Sequence, residues 1–193
     1  MESEQEKTDG LERIAEQIRG CPRCGVLVAS RTLPVPGTGR PMADVMLIGE
    51  APGREEDRQG KPFVGPAGRT LDELLRAVDL DRDRLFITNV IKCRPPKNRN
   101  PKPDEISNCF PYLEQQIGIV KPRAIGTLGA TAAHCLLGNR LRLARLRGQV
   151  HAYQRLPVVC TYHPAYVRRN PAVRERVQQD LLLLRRQILI PGP

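Results

Sequence analysis

The sequence predicts an α/β fold of three layers, α/β/α, around a central four-stranded parallel sheet. Three observations carry this. Four short apolar runs read as strands: 44–49 (DVMLIG), 85–91 (LFITNVI), 124–128 (AIGTL) and 157–162 (PVVCTY). They are apolar almost throughout rather than at alternate positions, the mark of strands covered on both faces. Between and after them lie stretches of helical periodicity at 67–78, 104–117, 130–137 and 173–188. Strands alternating with helices give a mostly parallel sheet with helices on both sides. Finally, 193 residues at 40% hydrophobic content suffice for one core and one domain, spanning 1–193.

In chain order, residues 1–10 are an acidic, polar stretch expected to be a flexible tail. A short amphipathic helix follows at 11–18, with Leu11, Ile14, Ala15 and Ile18 on one face and Gly20 as its stop. Residues 33–41 hold three prolines and two glycines and must be a loop. Pro111 is expected to break the helix at 104–117. Residues 188–193 are the second expected flexible tail. No internal repeat and no second domain are visible.

Charge speaks about partners rather than fold. Against 21 acidic residues stand 31 basic ones, a formal +10 and a pI near 9.8, which point to a polyanion, nucleic acid first. The N-terminus lacks an apolar signal segment, and the longest aliphatic run (181–184) is far too short to span a bilayer. The expectation is a soluble, cytoplasmic, monomeric protein without membrane association. In a reducing compartment its six cysteines favour metal over disulfides.

Cys21-x2-Cys24 on a loop, with Cys93 and Cys109 more distant, can form a four-cysteine site. Spacing alone does not choose between zinc and an iron–sulfur cluster. Cys135 and Cys160 lie in apolar elements and read as core residues. The segment 92–103 carries five cations, four prolines and no acid. Such a stiff cationic loop suits phosphates, with Lys92, Arg94, Lys97 and Arg99 as the candidate contacts. The densest signal is 49–68, with five glycines and three prolines in twenty residues. It contains neither a P-loop nor a G-x-G-x-x-G fingerprint, which disfavours a nucleotide-cofactor enzyme. Phe63, one of three Phe, stands in this polar loop, where a ring can stack on a planar ligand.

The unusual residues fall at strand ends. Gly49-Glu50-Ala51-Pro52-Gly53 follows the first strand, Asn89 nearly ends the second, and His163-Pro164 follows the fourth. Ligands of open α/β sheets bind at the carboxyl ends of strands, so a carboxylate, an amide and an imidazole converge at one mouth.

These motifs together resemble the family 4 uracil-DNA glycosylases of prokaryotes, iron–sulfur members of the uracil-DNA glycosylase superfamily. The resemblance runs from about Leu11 to Leu184. It rests on Cys21-x2-Cys24, Gly49-Glu-Ala-Pro-Gly, Glu56-Asp57, Pro62-Phe-Val-Gly65, Thr88-Asn-Val-Ile-Lys-Cys-Arg-Pro-Pro96 and Thr161-Tyr-His-Pro-Ala165. It implies a [4Fe–4S] cluster on Cys21, Cys24, Cys93 and Cys109, and hydrolysis of the N-glycosidic bond of uracil in DNA, without a lyase step, to leave an abasic site. Ala51, and the absence of any His between Gly49 and Cys109, fit the hydrolytic branch rather than its covalently trapping sister. The resemblance also implies roles. Glu50 orients water and steadies the cationic sugar, and His163 bonds uracil O2. Asn89 reads the base edge and Phe63 stacks on the flipped ring. Gly49, Ala51 and Glu56 form the pocket wall, Glu56 crowding the C5 position. Arg168 and Arg169, beyond His163, join the candidate phosphate contacts. Two rival readings remain: an iron–sulfur DNA-binding protein without efficient glycosylase activity, and a zinc-stabilised nuclease or deaminase. Glu50 argues against the first and the missing His-x-Glu and Pro-Cys-x-x-Cys pattern against the second.

Overall fold

Each of the four apolar runs forms a strand, and all four lie side by side in parallel. In the computed structural model, which describes residues 2–138 and 141–189, the helices and strands run in this order: α1 (Glu4–Arg19), α2 (Gly25–Ser30), β1 (Thr38–Gly39), β2 (Val45–Gly49), α3 (Arg54–Gln59), α4 (Pro66–Arg76), β3 (Phe86–Asn89), α5 (Pro103–Val120), β4 (Ala124–Leu128), α6 (Ala130–Leu137), α7 (Leu143–Leu146), β5 (Val150–Tyr153), β6 (Leu156–Thr161), α8 (Pro164–Arg169) and α9 (Arg174–Leu189). Strand order is β1-β3-β2-β4-β6-β5. The inner four, β3-β2-β4-β6, are parallel, whereas β1 and β5 pair antiparallel at the two edges. The sheet is therefore six-stranded and mixed, not four-stranded and parallel. The edge strands escape a sequence reading for physical reasons: β1 is two residues in a proline-rich loop, and β5 is only half-buried.

Both faces of the sheet are covered. Met46, Ile48, Phe86, Ile125, Val158 and Cys160 pack beneath α5, α6 and α7. Val45, Leu47, Ile87, Ala124 and Val159 meet α4, α8 and α9. All five residues of β2 and all five of β4 are buried, which is why their sequences do not alternate.

Three further expectations change. Residues 3–10 are not a loose tail, because α1 starts at Glu4 behind a capping box in which Ser3 and Glu6 satisfy each other's backbone, while Met1 lies outside the described residues. Lys7 Nζ then donates to the carbonyl of Val120 at 2.8 Å, docking α1 on the end of α5. Pro111 does not break α5, since one proline within eighteen residues forgoes a single backbone bond that the packed helix tolerates. Ile188 and Leu189 belong to α9, while the remaining expected tail, 190–193, lies outside the described residues. No helix among the described residues is long and apolar enough to cross a membrane.

Candidate active site

The carboxyl ends of β2, β3 and β6 surround a cavity of about 550 Å³ whose lining includes Glu50, Ala51, Glu56, Phe63, Asn89 and His163. The expected convergence of carboxylate, amide and imidazole is thus a fact of the structure. Gly49 and Asn89 are paired neighbours in the sheet. A Cβ added to Gly49 would overlap Asn89 Oδ1 and stand 2.6 Å from Phe63 Cζ, so only glycine permits this packing. Asn89 is buried, and its Oδ1 has no hydrogen-bond partner among the described residues. A buried carbonyl oxygen without a donor is costly and rare, and at a cavity wall it marks a place for a ligand's N–H.

His163 caps α8. Its Nδ1 accepts the N–H of Ala165 at 3.1 Å, so the neutral ring carries its proton on Nε2. Burial, helped by the charge of Arg169, pushes its pKa down to about 4. At neutral pH the side chain is an uncharged donor. Its ring lies 5.7 Å from that of Phe63, at 31° to it.

Phe63 holds a left-handed backbone (φ 51), unfavourable for a bulky side chain. Its surroundings enforce it. Arg82 Nη2 donates to the carbonyls of Pro62 and Phe63 at 3.0 and 3.1 Å, while Arg82 Nη1 binds Asp72 at 2.5 Å. Glu56 Oε1 accepts the N–H groups of Val64 and Gly65 at 3.0 and 2.8 Å. Gly68 leaves room for the Phe63 carbonyl, which any Cβ there would strike. Glu56 therefore lines the cavity and also buttresses the loop that presents the ring. Arg82 and Thr131 are additions that sequence reasoning missed. Thr131 Oγ1, in the first turn of α6, donates to Glu50 Oε2 and fixes the carboxylate.

The expected phosphate contacts divide. Arg168, Arg169 and Lys97 are exposed and Arg94 is half-buried. Arg99 is committed to Glu105, with both nitrogens on the carboxylate at 2.8 and 2.5 Å, so it clamps its own loop. Lys92 contradicts the reading outright. It is 1% exposed, and its Nζ donates at 2.7 Å to each of Thr88 Oγ1, the Asn89 carbonyl and Gln116 Oε1. Burial pushes its pKa down to about 7. Its place after Ile91, where the chain still runs inside the core, sends it inward and away from DNA.

Cys21, Cys24, Cys93 and Cys109 line one small cavity between α2, the 92–103 loop and α5, and none is in a disulfide. Burial pushes the Cys109 thiol up to about 11 and raises those of Cys24 and Cys93, each further raised by its sulfur neighbours. Three donors face these sulfurs: Arg31 Nη1 to Cys93 at 3.0 Å, the Lys92 backbone N–H to Cys109 at 3.3 Å and Asn108 Nδ2 to Cys24 at 3.7 Å. No group of three or more His, Cys, Asp or Glu among the described residues is disposed to hold a metal ion. Four sulfurs lining one cavity and faced by N–H donors are a donor set whose chemistry fits a thiolate-held group.

An α/β sheet with a partly polar cavity at its carboxyl edge, in a chain of formal charge +10, has the make-up of a protein that acts on nucleic acid. The family model for the uracil DNA glycosylase superfamily matches residues 36–182, and the chain belongs to that superfamily. It is 44% identical over 181 residues to a type-4 uracil-DNA glycosylase of Pyrobaculum aerophilum, covering 90% of this chain and 92% of that one. To the type-4 uracil-DNA glycosylase of Sulfurisphaera tokodaii it is 41% identical over 192 residues, 95% of this chain and 87% of the relative. To that of Thermotoga maritima it is 39% identical over 175 residues, 89% and 91% of the two chains.

Proposed function

We propose that this chain is a DNA-repair enzyme of the type-4 kind, a uracil-DNA glycosylase that hydrolyses the N-glycosidic bond of uracil and leaves an abasic site. The observation that carries the reading is the orphaned Asn89 Oδ1, set in one cavity with Phe63, His163 and Glu50. The target nucleotide must leave the stack to reach it. Phe63 then stacks on the base. Asn89 Oδ1 accepts N3–H and its amide nitrogen donates to O4, a pattern that cytosine reverses. Neutral His163 donates Nε2–H to O2 as charge grows on the departing base, an oxyanion-type stabilisation. Glu50, held by Thr131, steadies the cationic sugar and orients the attacking water. Gly49 and Ala51 keep the floor open, and Glu56 forms the wall near C5. No lysine among the described residues lines this cavity, in keeping with a single displacement by water without a lyase step.

Cys21, Cys24, Cys93 and Cys109 would hold a [4Fe–4S] cluster. When bound, that group supplies a covalent junction between the N-terminal arm and the 92–103 loop, and hydrolysis needs no electron from it. Lys97 and Arg94 on that loop, with Arg168 and Arg169 across the mouth, track the phosphates. The protein acts as a monomer on DNA, in the cytoplasm at the nucleoid. The test is single-turnover cleavage of an oligonucleotide bearing one uracil, with Glu50→Gln and Asn89→Asp as variants. Both should lose about 10²–10³ in rate. A wild-type protein inert on uracil, or an Asn89→Asp variant as fast as wild type, would overturn the reading.

A further inference from the structure

Lys92 has no place in the mechanism above, yet it is one of the largest fully buried side chains of the protein. An ammonium group is a poor core residue, since its charge is kept inside only by complete hydrogen bonding. Here the bonding is complete, with one acceptor for each of the three N–H groups, all at 2.7 Å. The acceptors are themselves secured. Thr88 Oγ1 donates to the Pro36 carbonyl at 3.0 Å and Gln116 Nε2 donates to the same carbonyl at 2.7 Å. The Lys92 main chain is fixed too, since its carbonyl accepts Val35 N–H at 2.7 Å and its N–H meets Cys109 Sγ at 3.3 Å. One residue, through its side chain and its main chain, thus joins the last two residues of β3, the α5 helix and Val35.

The acceptor that matters is the Asn89 carbonyl. An Asn side chain has two rotatable bonds, so where its amide points depends on where its peptide planes lie. We infer that Lys92 is a positioning residue for base recognition: by holding the Asn89 carbonyl against Thr88 and Gln116, it sets the place of the amide that reads uracil. This rests on the proposed reading of Asn89. An apolar side chain of the same length would fill the space without the tether, and a displacement of about 1 Å at a reacting or reading group can lower the rate about 10²-fold.

The experiment is a double-mutant cycle in the cluster-loaded protein, with cluster absorbance and thermal melting recorded for every variant. Lys92→Met should reduce single-turnover excision of uracil by about 10–100-fold while KM moves by less than about threefold. In the Asn89→Ala background Lys92→Met should change the rate by less than about twofold, because the group it positions is gone. In the His163→Ala background its full effect should persist. Thr88→Val, which removes one acceptor and keeps the shape, should reproduce a weaker effect with the same dependence on Asn89, and it serves should Lys92→Met fail to fold. Equal losses in wild-type and Asn89→Ala backgrounds would make Lys92 structural only and overturn the inference, as would an undiminished rate in Lys92→Met. An Asn89→Ala variant with the wild-type rate would instead overturn the reading of Asn89 itself.

Discussion

His163 gives the most demanding test of the site, because its low pKa couples stability and catalysis to pH in a defined direction. An unfolded histidine titrates near 6.5, and in the folded protein burial moves this to about 4. The folded state therefore binds fewer protons than the unfolded state between those two values. A depressed pKa of this kind leaves stability intact above pH 6.5 and erodes it as pH falls towards 4. At about 1.4 kcal/mol per pKa unit the erosion reaches at most about 3.5 kcal/mol, and solvent at the cavity edge of this half-buried ring trims that ceiling. The perturbation is His163→Asn, which removes the titrating group. Urea melts of wild type and variant at pH 7.5 and pH 5 should converge as pH falls, wild type losing the larger part of its stability. The chain has three histidines, so a ring-proton NMR titration resolves each of them, and the variant identifies the resonance of His163. Single-turnover excision should show no acid limb near pH 6.5. A His163 midpoint at 6.5 or above, or a rate that rises as the ring protonates, would refute the neutral-donor role.

Other outcomes follow from distances already given. Gly49→Ala places a methyl 2.6 Å from Phe63 Cζ and against Asn89 Oδ1, so uracil excision should fall at least about 10²-fold with little change in DNA binding; an unchanged rate in the same assay would mean the floor has more room than it shows. Cys93→Ala should yield protein without cluster absorbance, with an earlier melt and weaker DNA binding, whereas a cluster-free variant of full activity would remove its structural role. Lys97→Ala with Arg168→Ala should weaken binding equally for all sequences and flatten the salt dependence by about one to two units of slope on a log–log plot, and an unaltered slope would take these residues off the phosphate track.

The parallel centre of the sheet was legible because burial on both faces writes an uninterrupted apolar run, as in Val45–Gly49 and Ala124–Leu128. The site was legible because its chemistry sits at the ends of such runs. What a linear reading cannot supply is direction. Lys92 stands among Arg94, Lys97 and Arg99 in sequence, and only the fold shows that it turns into the core while they do not. Arg82 looks like one more surface charge in Asp81-Arg-Asp-Arg84, and its hold on the Phe63 carbonyl is a contact across nineteen positions. Thr131 likewise meets Glu50 from another element, eighty-one positions away. Short edge strands leave too few residues to write any pattern, and the cap that starts α1 at Glu4 was hidden by its polar composition.

The docking of α1 on the far end of α5 has a consequence for how the chain comes into being. The helix that leads into Cys21 and Cys24 finds its packing partner, and Lys7 its acceptor at Val120, only after β1, β2, β3 and all of α5 have been made. At ribosomal speeds of about 5–20 residues per second, the first two thiols wait several seconds for Cys93 and Cys109 to emerge. During that interval they are unpaired sulfurs on an undocked arm, open to oxidants and to stray metal. If these four cysteines hold the proposed cluster, its assembly is a matter of order in time: before Cys109 has left the ribosome the set of ligands is incomplete.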